Sequence, residues 1–299
     1  MSLATLRARA RRILERRRLV VGINRRNVEL VYPNNARRDY PIANDKLLGK
    51  VHLERAGVPV PETLVECPAL YAVPRVVEQL SAHEHFVVKP ANGSGGEGIL
   101  VVRERLADGQ WRTPSGGVTD TGKLRRHLAD IIFGTYSGQL EDRAFVERRI
   151  EPHSFFSTLW ADGLCDVRVI TLRGEPVLAM VRVPTHRSRG RANLHQGGIG
   201  LAVDLATGRI HRAVSKGELL ERHPESGQAL LGLVVPRWPQ LLDVARRAGH
   251  AVPLGYLGTD IVVDRERGPL VLEINARPGL EIQNVNGIGL GAVLPQETR

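Results

Sequence analysis

The chain has 299 residues with 42% hydrophobic and 25% charged content, an ordinary globular composition and long enough for a core split between two lobes. Two cysteines, Cys67 and Cys165, exclude a disulfide framework or a cysteine-based zinc site and fit buried thiols in a reducing compartment. Of the formal net charge of +10, residues 1–38 hold eleven Arg against Glu15 and Glu29, or +9, so the near-neutral body excludes nucleic acid as its main partner.

In chain order, Leu3, Leu6, Ala10, Ile13 and Leu14 fall at helical spacing and predict a basic amphipathic helix. Such a helix either packs on the body or recruits a protein or membrane-surface partner through residues 1–18. Its Arg-rich, acid-poor composition also fits an organellar presequence. The expected location is otherwise cytoplasmic, because no apolar run approaches the ~20 residues of a membrane span and no secretory signal is recognisable.

Leu19–Ile23 and Val28–Tyr32 have β character. Asn44-Asp45 offers an N-cap for a helix over Lys46–Ala56, ending at Gly57, with Leu47, Leu48, Val51 and Leu53 as its buried side. Phe86–Pro90 and Ile99–Val102 read as strands around the glycine-rich run Ala91–Gly98. Successive glycines let backbone N–H groups surround an anion, and Lys89 stands at the end of the entering strand. A flexible hairpin loop is the alternative.

Residues 104–122 read as a polar excursion, followed by a helix over Lys123–Phe133 and a strand over Phe145–Ile150. Cys165–Leu172 and Val177–Val183 predict a hairpin that places Asp166 and Arg168 on one face. Residues 185–200 form a basic loop suited to covering an anionic ligand. A hairpin about Thr207-Gly208, a helix near Lys216–Glu221 and a helix over Pro239–Ala248 come next.

A last hairpin joins Thr259–Val263 to Leu270–Ile274. Pairing Asp264 with Pro269 sets Asp260 opposite Glu273, with Asn275 on the same face. Facing carboxylates repel unless a cation or solvent relieves them, and oxygen donors of this kind suit Mg²⁺ or Mn²⁺. The alternative is an edge hairpin whose acids point into solvent. The tail from Leu280 to Leu294 shows little regular pattern.

Taken together, Asn44-Asp45-Lys46-Leu47, VVKPANGSGGEG, CDVR (165–168), RANLHQGG (191–198), GTDIVV and GPLVLEINARPGLE resemble the ATP-grasp superfamily. The likeness is to its RimK-like, α-L-glutamate ligase-like members, and it extends from about Asp45 to Gly291. It implies an α/β (α+β) fold in two lobes that clasp ATP. Residues 45–149 would form the first lobe and 150–299 the second. Residues 1–44 would be a basic helical arm and truncated segment in place of the family's full N-terminal domain.

The resemblance implies that Lys46, Lys89 and the loop residues Gly93, Ser94, Gly95, Gly96 and Gly98 bind the triphosphate. Glu147, Arg148 and Ile150 would line the adenine pocket, and Asp166 would contact the nucleotide. Arg168, Arg191 and Asn193 would act at the transferring phosphate, and Asp260, Glu273 and Asn275 would ligate two Mg²⁺ or Mn²⁺ ions. The activity implied is an ATP-dependent carboxylate–amine ligase acting on an amino-acid or peptide substrate. The alternative is an ATP-binding scaffold recruited by its basic helix. One further departure from the family is the link Glu151–Leu164, whose Phe155, Phe156 and Trp160 suit either a substrate wall or core packing.

Overall fold

The computed structural model describes residues 19–294 except Ser94 and Arg189. The expected helix over residues 3–14 therefore lies outside the described residues. Among those described, no helix is long and apolar enough to cross a membrane.

The chain enters as helical turns where β character was expected. Ile23–Arg26, a wider π-type stretch Asn27–Val31 and Tyr32–Asn34 run on from one another. Leu30 and Val31 are both fully buried. The wider turn accommodates two consecutive apolar residues on the side facing the body, a pattern that sequence alternation cannot separate from a strand.

Helix α1, Lys46–Arg55, starts where the N-cap predicts: the Asp45 carboxylate accepts from the Leu48 N–H at 3.0 Å, and Gly57 follows with φ +67°. Its buried face differs from expectation. Leu47, Gly49, Lys50 and Leu53 are inside, whereas Leu48 and Val51 are each 36% exposed. Leu47 meets Ala91 and Phe145, while Leu53 joins the largest core cluster, so α1 is shared by both halves of the molecule.

Strand β1 (Thr63–Cys67), helix α2 (Val73–Leu80), strands β2 (Phe86–Pro90) and β3 (Leu100–Val102) come next. The excursion that follows is not shapeless: β4 (Glu104–Arg105), β5 (Trp111–Arg112) and β6 (Val118–Thr119) make a small sheet that buries Trp111 edge-on to Phe86. Asp120 caps α3 (Thr121–Ile132), which leads to β7 (Ala144–Glu147). A four-stranded antiparallel sheet of order β1-β7-β2-β3 results, backed by α2 and α3.

After the short helix α4 (Ser154–Leu159), a seven-stranded antiparallel sheet dominates. It comprises β8 (Asp166–Leu172), β9 (Glu175–Val183), β10 (Ile199–Val203), β11 (Ile210–Ser215), β12 (Glu218–Leu219), β13 (Tyr256–Asp264) and β14 (Gly268–Asn275), in the order β12-β11-β10-β9-β8-β13-β14. Two of its turns have two residues with positive φ, Arg173-Gly174 and Lys216-Gly217, the geometry that suits the twist of tight hairpins. The second replaces the helix expected near Lys216–Glu221.

Helix α5 (Trp238–Ala251) packs against β8, β9, β13 and β14. Helix α6 (Glu281–Asn286), within the tail read as irregular, lies over strands β9 to β11. Phe156 and Trp160 are buried in the larger core and Phe155 packs edge-on against Phe156, so these rings are core rather than substrate wall.

Candidate active site

One cluster is built on α1 and the smaller sheet. Lys46 and Lys50 are one helical turn apart and project from the same side of α1. Glu147 lies on β7 directly opposite Val87 and Thr63, at the centre of the sheet. Lys50 Nζ donates to Glu147 Oε1 at 2.7 Å, to Thr63 Oγ1 at 2.6 Å and to the Pro61 carbonyl at 2.6 Å. Lys89 pairs with the other oxygen, Glu147 Oε2.

Burial opposes charge on Glu147, but Lys89 and Lys50 outweigh it and hold the carboxyl below its usual range. Burial also lowers the affinity of Lys46 and Lys50 for their protons. Lys46 donates to the Gly93 carbonyl, which ties α1 to the glycine-rich loop. Gly95, Gly96 and Gly98 all have positive φ, and at Gly98 a side chain would run into the Tyr136 ring.

The second cluster lies on one face of the larger sheet. The final hairpin is one residue tighter than expected: Asp264 pairs with Gly268, because the Asp264 carboxylate accepts from the N–H groups of Glu266 and Arg267 at 3.0 Å each. An irregularity between Val271 and Glu273 then restores the register, so Asp260 does stand opposite Glu273.

Arg168 grips Asp260 with two hydrogen bonds of 2.7 and 2.6 Å. Arg182 grips Asp166 with two of 2.6 Å and reaches Asp260 at 2.7 Å. Burial opposes charge on Asp260, but the two guanidiniums outweigh it and hold its carboxyl far below the ordinary range. Burial, reinforced by Asp260, pushes Asp166 up to about 6 against the pull of Arg182. Burial and the neighbouring Asp260 also raise Glu273, which Lys46 counters. Helix α1 packs on β14, with Gly49 beside Ile274, so Lys46 and Glu273 lie on adjoining elements and each favours the other's charged form.

The family described as sugar-transfer associated ATP-grasp matches residues 25–298. The chain belongs to this ATP-grasp family. It is similar to the ribosomal protein bS6–L-glutamate ligase of Shigella boydii serotype 4 (strain Sb227), 24% identical over 261 residues, 87% of this chain and 64% of that protein. The same-named ligase of Escherichia coli (strain K12 / DH10B) has the same identity and coverage. The chain thus spans about 64% of the length of these curated relatives.

Among solved structures, a RimK domain protein ATP-grasp from Sphaerobacter thermophilus DSM 20745 aligns with TM-score 0.46 and 14% identity, covering 86% of this chain and 67% of that one. A biotin carboxylase–β-γ-ATP complex from Campylobacter jejuni aligns with TM-score 0.49 and 18% identity, covering 86% and 48%. The ATP-grasp resemblance read from the motifs holds.

In this ATP-grasp chain, Lys46, Lys89 and Glu147 come together in the first cluster, and Asp166, Arg168, Asp260 and Glu273 in the second. Asn275 stands beside Glu273, to which its amide donates at 3.4 Å. Arg191 reaches across to the Gly95 carbonyl at 3.4 Å and lies against Gly96. Asn193 caps the turn Leu194–Gln196, its side-chain oxygen accepting from the His195 N–H. Ile150 is buried with Val262 and Leu270. Arg148 is not brought in: its side chain is 55% exposed and pairs with Glu62. Ser94 lies outside the described residues.

Two members of these clusters escape the sequence reading. Lys50 is placed beside Lys46 by helical spacing but not among the site residues, because the buried side of α1 was assigned to Leu47, Leu48, Val51 and Leu53. Arg182 is a lone cation in an apolar strand, Val181-Arg182-Val183, and that isolation is the signal that marks it.

The donors suit a divalent cation unevenly. Glu273 and Asn275 are half-buried oxygen donors, and among the described residues Glu273 forms no salt bridge, so its charge is under-neutralised. Asp260 has both oxygens engaged by guanidinium groups. Among the described residues, no three His, Cys, Asp or Glu side chains form a ready-made metal cluster.

Proposed function

We propose that this ATP-grasp chain is an ATP-dependent carboxylate–amine ligase that forms an amide bond through an acyl phosphate. The observation that carries the reading is the packing of α1 on β14, with Gly49 beside Ile274, which brings the lysine cluster of the smaller sheet toward the acidic cluster of the larger one. A triphosphate with its counter-cation complements both. Lys46, Lys89 and the backbone of residues 93–98 bind the phosphate oxygens, and Arg168, Arg191 and Asn193 face the transferring group. Residues 45–149 and 150–299 act as the two lobes that enclose it, with Glu147, Ile150 and Asp166 on the nucleotide side.

Glu273 and Asn275 would hold Mg²⁺, with Asp260 as the further ligand of a two-ion site. When bound, Mg²⁺ supplies charge neutralisation on the phosphates. A substrate carboxylate oxygen bonds to the terminal phosphorus as ADP departs. An amine then bonds to the acyl carbon, losing its proton as phosphate leaves. The substrates are of the amino-acid or peptide class. The two free, buried thiols support a cytoplasmic setting.

A second reading, an ATP-binding scaffold, is favoured by one observation: Asp260 is fully engaged by Arg168 and Arg182 and unavailable to a metal as it stands. Purified protein given ATP, Mg²⁺ and amino acids or short peptides separates the two. The ligase releases ADP and phosphate only with both substrates present, and Glu273→Gln lowers that turnover at least ~100-fold while ATP still binds. ATP binding without turnover across the panel selects the scaffold.

A further inference from the structure

A cavity of about 890 Å³ lies apart from the two clusters, at the β10–β12 edge of the larger sheet. It is in the size range of small-molecule and peptide sites. Its wall is a composite. Helix α6 lies on the sheet because Gly200 has no side chain to collide with Val285. The incoming chain at Leu19–Val21 is fixed against α6 by Gln283, whose side chain accepts from the Val21 N–H and donates to the Val21 carbonyl, each at 2.9 Å. Gly289 and Gly291 allow Leu19 to pass in contact with the backbone.

The lining has a defined chemistry. Arg212 and Lys216 supply two cations and His195 a third titratable group, against the single carboxylate of Glu281, which accepts from Asn284 at 3.1 Å. Val20, Leu194 and Ile288 supply apolar surface, and Val20 and Ile288 are 52% and 41% exposed.

Sheet register ties the cavity to the charged clusters. Arg168 pairs with Met180, Met180 with Ala202 and Ala202 with Arg212, so Arg168 and Arg212 share a face three strands apart. At roughly 4.8 Å per strand that is at least about 14 Å. A free amino acid held at Arg212 falls short of Arg168, whereas five or more extended residues cover that separation at about 3.3 Å each.

We propose that this cavity binds the non-nucleotide substrate, a peptide of at least five residues with an aliphatic segment and an anionic end, and that Arg212 and Lys216 read the anion. Its place in a reaction rests on the ligase reading; the binding itself does not.

Calorimetry with two C-terminally amidated heptapeptides, Leu-Val-Leu-Ala-Ala-Glu-Glu and its Gln-Gln twin, tests this directly. The acidic peptide is expected to bind at least tenfold more tightly than its twin, and the combined variant Arg212→Gln/Lys216→Asn to lose that preference while binding ATP as before. Lys216→Asn alone, at an exposed turn whose positive φ Asn tolerates, reduces the preference without touching the Arg212 contact to Val285. Equal affinities for the two peptides, no binding of either at millimolar concentration, or a preference that survives the variants overturns the proposal. A preference that behaves as expected, with no ADP formed under any substrate panel, refutes the ligase reading and leaves the site standing.

Discussion

The two charged clusters are near mirror images in sign. On the smaller sheet, Glu147 is neutralised twice, by Lys50 and Lys89, while Lys46 is held by the Gly93 carbonyl. On the larger sheet, three carboxylates share two guanidiniums, and Asp260 is the one held twice. In each cluster the fully buried group is over-satisfied and the surplus falls on a partly exposed neighbour, Lys46 on one side and Glu273 on the other. Burying a charge is tolerated only where partners meet it closely, so each sheet fixes its central ion and leaves the surplus on a less buried neighbour. Opposite surpluses facing each other are what a phosphate chain with its cation would bridge.

Removing a shared cation from the acid-rich side should do the most damage. Arg182→Met leaves Asp166 without its guanidinium and Asp260 with one instead of two. A destabilisation of about 3–5 kcal/mol is expected in urea unfolding. Lys50→Met should cost less, about 1–3 kcal/mol, because Lys89 still neutralises Glu147 and the remaining loss is the donor to Thr63 and Pro61. If Lys50→Met proves the more costly, the smaller sheet rests on its charge cluster more than the larger one does, and the comparison inverts.

The ease with which these pieces read from sequence follows their range. The N-cap at Asp45, the glycine-rich loop and the facing pair Asp260–Glu273 are set by residues close in the chain. The Asp260–Glu273 pairing was reached through a turn one residue too wide, and the irregularity at Leu272 cancelled that error. Arg182 and Lys50 were missed because their value lies in partners 78 and 97 positions away. Helical turns over residues 23–34 were taken for β character because apolar Leu30-Val31 reads alike in either form, and only burial against the larger core separates them. The tight turn at Lys216-Gly217 shows the limit on the local side too, since a short polar run suits helix and hairpin equally.

The two cysteines report on the two halves separately. Cys67 is in the smaller core and Cys165 in the larger, and both are free and buried. Burial pushes the Cys67 thiol up to about 11, and burial with the adjacent Asp166 pushes Cys165 further. Neither native thiol should label at pH 8. In rising urea Cys67 should label first, because its core is the smaller and opens at lower cost. Simultaneous labelling would make the halves one cooperative unit. The same shift sets a small pH effect. A thiol raised in the folded state adds stability that is complete below its unfolded value near 9 and is lost as pH rises through 11. That loss amounts to about 2–3 kcal/mol. Cys67→Ala should remove this slope between pH 9 and 11, and an unchanged slope would assign the alkaline loss to a group other than Cys67.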